Sequence, residues 1–394
     1  MPVKLSRRAR WGVPAAGVAV TAAVIAGLQI PSAQAAPNLP ARTPAQLLAE
    51  VSTDASLPPL TGTMVESTSL GLPQLPQIGG ATSLSSLLTG SHTIKIYYQD
   101  ARQFRVAIPE PESEIDLIRN GGTAWLWNST QNSVTKFTLP ADSTGKATGK
   151  AAHLKGNLST PPLTPQQAAD EVLKAVGATT VVSVEANVMV AGEPCYQLVL
   201  APRDDRSLVG QVTIAIDGKY GVPLRVQVFA KHTTSPAFQF GYTALQFVAP
   251  SSANYDFTPP AGASLNVVNA SGGSGTSAGG KQAAPSGFGS FGTGWLTVVA
   301  LPQQDLMQGI GAGGLKSSTS PAPTGTSGPS GAMSEDSQAV ISNLIGAAKP
   351  VHGSWGSGTL LTTSLFSMLM TNGEVYIGAV EPSVLYAAVG HASS

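Results

Sequence analysis

The sequence predicts an α+β protein dominated by one large antiparallel sheet. Between Val181 and Gly262 apolar residues alternate with other residues in four successive runs, a pattern typical of strands with one apolar face. Short turn-forming segments such as Ala191-Gly192-Glu193-Pro194 separate these runs. Strands joined this closely pair antiparallel, because a parallel return needs a long crossover. We therefore expect a meandering sheet whose apolar face is either covered by the rest of the chain or open to a ligand.

The composition indicates a folded protein diluted by low-complexity linker. Of 394 residues only 11% are charged, whereas glycine (43) and proline (30) are both abundant. The formal net charge is zero and no basic patch stands out, so nucleic acid is not expected as a partner.

Residues 1–35 have the organisation of a secretory signal peptide. Lys4 to Arg10 is basic, Trp11 to Ile30 is apolar, and Ala33-Gln34-Ala35 is a small-residue cleavage motif. We expect export across the cytoplasmic membrane into the cell envelope, with cleavage after this motif. An uncleaved anchor is the alternative, since the apolar run is nearly long enough to span a bilayer. The pair Arg7-Arg8 leaves the twin-arginine export route open.

The chain has a single cysteine, Cys195, so an exported protein would contain no internal disulfide. Cys195 opens a predicted strand, and we expect it to be a small buried apolar residue.

Two helices and six strands are predicted before the long sheet. Thr43 with Pro44 and Gln46 forms a helix cap, proline and capping box, so a helix is expected from Thr43 to Val51. Thr164 begins a second helix in the same way, which stops at Gly177. The strands expected between them are Thr61 to Ser69, His92 to Gln99, Gln103 to Ile108, Glu114 to Arg119, Ala124 to Asn128 and Val134 to Leu139.

The C-terminal part is divided by segments of low complexity. Residues 267–293 are predicted to be a disordered linker, and residues 294–394 an extension with a low-complexity insert at 311–333. The extension is expected to be a small β-α-β-β-α piece that packs on the sheet edge or stands alone. Its elements are a strand Gly294 to Leu301, a helix Ser334 to Ala348, a hairpin of Gly358 to Met370 and Glu374 to Val380 around Asn372-Gly373, and a last helix from Glu381-Pro382.

Nothing in the sequence resembles a catalytic constellation, and we expect no enzyme, cofactor or metal site. The five histidines are scattered without metal-ligand spacing. No phosphate-binding loop or nucleophile elbow is present. The acidic groups Asp204-Asp205 and Glu110 with Glu112 and Glu114 are predicted to lie in solvated turns.

Several motifs in order along the chain resemble the LolA-like family. They are Phe104-Arg105-Val106, Asn120-Gly121-Gly122-Thr123 followed by Trp125-Leu126-Trp127, Gly221 to Val226, and Phe257 to Gly262. The resemblance covers residues 40–266, and the extension beyond Trp295 looks like that of secreted actinobacterial members. This family includes lipoprotein carriers of the periplasm and sigma-factor regulators of RseB type.

The resemblance implies an unclosed antiparallel half-barrel wrapped over a few helices, with lipid acyl chains held in its concave face. Candidate cavity residues, chosen by alternation, are Met64, Ile96, Tyr98, Phe104, Val106, Leu198, Ile214, Val226 and Phe240. The alternative for each is a core residue packed against the helices. A one-residue slip would invert the face on which it lies.

Two functions are therefore expected. The first is an exported, non-enzymatic carrier that shelters the acyl chains of a lipid or lipoprotein. The second is an envelope sensor of RseB type, which would regulate a sigma factor or anti-sigma factor through a membrane-bound partner that contacts the extension.

Overall fold

The computed structural model describes residues 37–52, 57–71, 89–139, 179–269, 289–306 and 346–392. The predicted signal peptide, the helix from Thr164 and the insert 311–333 lie outside these residues, as does nearly all of the helix predicted from Ser334. The described residues from Asn38 onward belong to one compact unit.

Twelve strands form one unclosed sheet in the order β12-β6-β5-β4-β3-β2-β1-β11-β10-β9-β8-β7. This confirms the predicted fold class. The strands are β1 (Leu60–Ser69), β2 (Thr89–Asp100), β3 (Gln103–Pro109), β4 (Glu114–Asn120), β5 (Thr123–Asn128), β6 (Ser133–Thr138), β7 (Thr180–Val190), β8 (Glu193–Pro202), β9 (Val209–Asp217), β10 (Pro223–Ala230), β11 (Pro236–Gln246) and β12 (Ser264–Asn269).

Two strand pairings connect segments that are distant in sequence. Strand β1 pairs antiparallel with β11 and so joins the β2–β6 meander to the β7–β11 meander. Strand β12 runs parallel to β6, and its last residues lie in the segment 267–293 that the sequence predicted to be a disordered linker. A parallel neighbour needs a long return, and here β7 to β11 lie between β6 and β12 along the chain.

The register assigns every side chain of the sheet to one of two faces. Residues that lie directly opposite on neighbouring strands project to the same side. We call the side that carries Met64, Ile96 and Leu198 the inner face, and the other side the outer face. Register shifts interrupt several pairs, for example between Thr63 and Met64, and such bulges bend and twist a sheet.

The first helix, α1 (Pro44–Ser52), has the predicted capping box. The backbone N–H of Thr43 donates to Gln46 Oε1 (2.8 Å), and the Gln46 N–H donates to Thr43 Oγ1 (3.2 Å). Leu47 and Val51 on its apolar stripe are fully buried. They pack in a core cluster with residues of β8, β9 and β10, so α1 closes that part of the inner face.

The extension forms a second sheet with more strands than predicted. Its order is β13-β14-β18-β17-β16-β15. The elements are β13 (Gly289–Phe291), β14 (Val298–Pro302), β15 (Lys349–Gly353), β16 (Gly356–Thr362), β17 (Ser367–Thr371), β18 (Glu374–Gly378) and helix α2 (Pro382–Ala392).

Local turn chemistry explains the difference from the prediction. The segment predicted as one strand, Gly358 to Met370, is divided because Thr363 Oγ1 accepts the N–H groups of Leu365 and Phe366 in a tight turn. The Asn-Gly hairpin turn is confirmed: Asn372 and Gly373 have φ of 52° and 77°, as a two-residue hairpin of this type requires.

The second sheet is docked on the first. The Leu208 N–H donates to Ala379 O (2.9 Å), and the Glu381 N–H donates to Arg206 O (2.8 Å). Trp295 Nε1 donates to Thr180 Oγ1 (2.8 Å), while its ring packs against the core cluster under α1. The extension is therefore tied to the large sheet by backbone and side-chain contacts.

The helix cap gives a direct test of how much α1 contributes to stability. Thr43→Ala removes the Oγ1 acceptor and is expected to lower the free energy of unfolding by about 1 kcal/mol. Thr43→Ser keeps the acceptor and should unfold close to the wild type. Urea unfolding followed by circular dichroism measures both; equal midpoints for Thr43→Ala and the wild type would contradict a stabilising role of the cap.

Candidate functional site

All nine candidate cavity residues lie on the inner face. Ile96 is opposite Val106, and Tyr98 is opposite Phe104. One continuous row of paired residues runs across the other half of the sheet: Phe240, Val226, Ile214 and Leu198. Met64 is opposite Ile94 on the same side. Their role as lipid-cavity residues stays a prediction.

Six of the nine side chains are part of the packed core. They are between 0% and 5% exposed: Met64, Ile96, Leu198, Ile214, Val226 and Phe240. Leu198, Ile214 and Val226 pack in the cluster that includes Leu47 and Val51 of α1. The inner face over β8, β9 and β10 is thus closed. Leu198, Ile214 and Val226 are core residues packed against a helix, which was the alternative to a cavity lining.

The other three residues, Tyr98, Phe104 and Val106, are only half-buried, although Tyr98 and Val106 also pack against the core cluster that includes Met64 and Ile96. Val106 lies opposite Leu117 of β4, and Leu117 lies opposite Leu126 of β5. We call the half-buried inner-face residues Tyr98, Phe104, Val106, Ile108, Leu117 and Leu126 the apolar band.

Sequence reasoning missed Ile108, Leu117 and Leu126 as members of this band. The alternation of Ile115, Leu117 and Arg119 in β4 was a usable signal. In β5 the bulky Trp125 and Trp127 flank Leu126. The register places both tryptophans on the outer face, opposite Ile118 and Asp116. A strand with three consecutive large apolar residues does not show by itself which of them point inward.

A polar cluster lies on the inner face at the β1–β2 pair. Glu66 is opposite both His92 and Phe240. His92 Nδ1 is 3.3 Å from Glu110 Oε1, and His92 Nε2 is 3.9 Å from Glu66 Oε2. The side chains of His92 and Glu66 are 11% and 13% exposed. Glu110, which was predicted to lie in a solvated turn, is drawn toward the sheet by this contact.

The burial of this cluster changes the pKa of the Glu66 carboxyl group. Burial raises the pKa of Glu66 above its usual 4.5, while the hydrogen bond from Thr68 Oγ1 (2.5 Å) and the nearby His92 oppose the rise in pKa. The desolvation cost of the charged form is the larger effect.

A buried cation lies toward the opposite end of the apolar band. Arg119 is opposite Phe104, is 7% exposed, and its Nε donates to Gly121 O (3.2 Å). Burial and the neighbouring Arg102 lower its pKa. His92 and Tyr98 are six residues apart on β2, about 20 Å of extended strand. The apolar band therefore spans the space between an acid–histidine cluster and a buried arginine.

Cys195 is fully buried, as the sequence predicted. Burial raises the pKa of its thiol to about 12, with the nearby carboxylate of Asp217 adding to the rise. A thiol that remains protonated and inaccessible is a poor nucleophile.

Two cavities, of about 560 and 320 Å³, lie on the second sheet, and both are lined by Gln303 and Gly373. Neither is lined by a member of the apolar band. Among the described residues, no group of three His, Cys, Asp or Glu is placed to hold a metal ion. No helix in the described ranges has the length and hydropathy needed to cross a bilayer.

The large sheet is unclosed, mostly antiparallel, apolar on its inner face and accompanied by few helices. No family model and no curated protein matches the chain. The chain is similar to several solved structures, among them one of a LolA superfamily protein.

One of these structures is MucB of Pseudomonas aeruginosa in complex with MucA: it is 15% identical, with a TM-score of 0.39, and the match covers 88% of this chain and 96% of that one. A second is a LolA superfamily protein of Nitrosomonas europaea (9% identical, TM-score 0.21, covering 55% and 99%). A third is a putative outer membrane lipoprotein-sorting protein domain of Vibrio parahaemolyticus (10% identical, TM-score 0.19, covering 52% and 90%). The function proposed below rests on the contacts of this chain.

The raised pKa of Glu66 predicts a specific dependence of stability on pH. Because the native state binds this proton more tightly than the unfolded state, the contribution of Glu66 to stability is largest at low pH. It is lost as the pH rises from 4.5 through the folded-state pKa. Glu66→Gln cannot ionise, so its free energy of unfolding should rise relative to the wild type across this range.

Urea unfolding at a series of pH values measures the difference. Glu112→Gln, which changes an exposed carboxylate, is the matched control and should follow the wild-type pH profile. Parallel profiles for Glu66→Gln and the wild type would contradict the prediction.

Proposed function

We propose that this protein is an exported, non-enzymatic carrier that binds the acyl chains of a lipid or lipoprotein on the apolar band. The observation that carries the proposal is the contrast within one sheet face. Over β8, β9 and β10 the inner face is closed by α1, whereas from β2 to β5 adjacent apolar side chains keep part of their surface exposed. Adjacent apolar side chains that stay partly exposed are typical of a binding surface.

The energetics suit binding without chemistry. Burial of apolar surface gains about 25 cal/mol per Å². An acyl chain that hides a few hundred Å² would gain several kcal/mol, part of which offsets the loss of freedom on binding. The polar cluster at His92 and the buried Arg119 would limit the position of the chain along the strands, because neither offers an apolar surface.

The proposed place of action is outside the cytoplasmic membrane. The feature that supports it is the signal-like organisation of residues 1–35.

A charge on the apolar band should weaken binding of an acyl probe. Val106→Glu places a carboxylate among Phe104, Ile108 and Leu117, and its desolvation would weaken binding of dansyl-undecanoic acid by at least about tenfold. Thr93→Glu introduces the same charge on the exposed outer face of β2 and is the matched control. Fluorescence titration measures both dissociation constants. Equal affinities for the two variants, or no binding by the wild type, would overturn the carrier proposal.

A second candidate function is regulation through a membrane-bound partner. The contacts that favour it are those between the two sheets: Leu208 with Ala379 and Arg206 with Glu381, reinforced by the ion pair of Lys231 Nζ and Glu381 Oε1 (3.2 Å). A ligand on the large sheet could change the strength of these contacts, and a partner bound to the extension would then detect the change.

Deletion of residues 290–394 would remove the extension that the partner is proposed to contact. It would also expose the core cluster under α1, because Trp295, Leu365 and Ala379 pack against that cluster, so loss of partner binding would not be specific. Hydrogen exchange of the intact protein is better suited. If the protein is a sensor, dansyl-undecanoic acid should change the protection of the Leu208 and Glu381 amides several-fold. Unchanged protection at saturating probe would contradict sensing through this junction and leave the carrier function intact.

A further inference from the structure

Strand β12 lies at one edge of the large sheet as the described residues form it. Among the described strands it pairs only with β6, so one row of its backbone N–H and C=O groups faces outward. Leu265 and Val267 are 55% and 51% exposed, and Asn266 between them is also exposed. An exposed edge strand with apolar side chains readily accepts another strand.

The other described sheet edges carry features that discourage such pairing. Strand β7 has a register shift between Glu185 and Val188 and a charge at Glu185. Strand β13 has three residues, and β15 contains Lys349 and Pro350. Bulges, short length, charge and proline all protect an edge. The β12 sequence SLNVVN has no charge and no proline, and its pairing with β6 is in continuous register.

The exposed apolar side chains of β12, Leu265 and Val267, lie on the outer face. Leu265 is opposite Val134 and Val267 is opposite Lys136. These in turn lie opposite Trp127 and Trp125. Pairing through this edge would therefore leave the inner face and its apolar band unobstructed.

We propose that β12 pairs antiparallel with β12 of a second copy of this chain, with the two-fold axis at Asn266. An axis perpendicular to the sheet keeps each face on its own side, so only residues of the same face can lie opposite one another. With Asn266 opposite itself, Leu265 of each copy lies opposite Val267 of the other. The contact is thus self-complementary, as a two-fold interface requires.

The composition of β12 selects a second copy as the occupant. An uncharged strand pairs with its own copy without repulsion between like charges. Because Leu265 and Val267 flank Asn266 symmetrically, the two copies form two identical apolar pairs, each of Leu265 from one copy and Val267 from the other. Because a six-residue edge buries less than the roughly 800 Å² per partner of a standard interface, the dimer is weak. Its continuous sheet has both apolar bands on the same side.

Concentration-dependent mass tests the interface. By sedimentation equilibrium, the purified wild-type protein is expected to approach twice the monomer mass at about 1 mM and to be monomeric at about 1 µM. Val267→Lys places a charge against Leu265 of the other copy, and the two-fold axis repeats this contact. The substitution should therefore raise the dissociation constant of the dimer at least about tenfold. Val248→Lys, at another highly exposed valine away from the edge, is the matched control and should dimerise like the wild type.

Cross-linking tests the register. Because Cys195 is buried, Asn266→Cys supplies the one accessible thiol of the described residues, and directly opposed strand positions are close enough for a disulfide. Mild oxidation should give a covalent dimer faster than for Val248→Cys. A wild-type protein that remains monomeric at 1 mM, a Val267→Lys dimer of unchanged strength, or equal cross-linking rates of the two cysteine variants would each overturn the proposal. If the wild-type protein remains monomeric, the β12 edge would instead be available to a strand of another protein.

Discussion

The pairing of β1 with β11 is the contact on which the rest of the structure depends. Each of the two meanders would otherwise end in an open strand edge, with unpaired backbone groups and a separate apolar face. Because β1 hydrogen-bonds to β2 on one side and to β11 on the other, the two meanders become one sheet with one inner face. Met64 of β1 consequently packs with Ile96 from one meander and Phe240 from the other.

That shared face is divided by what lies against it. Helix α1, fixed by its capping box, lies over β8 to β10 together with Trp295 and Leu365 of the extension. The residues of the apolar band on β2 to β5 keep part of their surface exposed. The same sheet therefore serves as a folding core in one half, and in the other half it carries the apolar band on which the carrier proposal rests.

The strands, the first helix and the last hairpin could be predicted because their signals are local. Alternation identifies a strand, and Thr43 with Gln46 or Asn372 with Gly373 specifies a cap or a turn within a few residues. The site was predicted only in part. Alternation placed Tyr98, Phe104 and Val106 on the inner face, but burial separates them from Leu198 and Ile214, and burial depends on distant neighbours such as Leu47.

The sequence by itself determined the strand content, the turns and the apolar character of one face, since these follow from the period of side chains along an extended backbone. Tertiary structure alone decided the β1–β11 junction, the parallel β12 and the docking of the extension. It also brought Glu66, His92 and Glu110 together. Such contacts join residues far apart in the chain, and their choice depends on which surfaces remain to be buried once the local elements have formed.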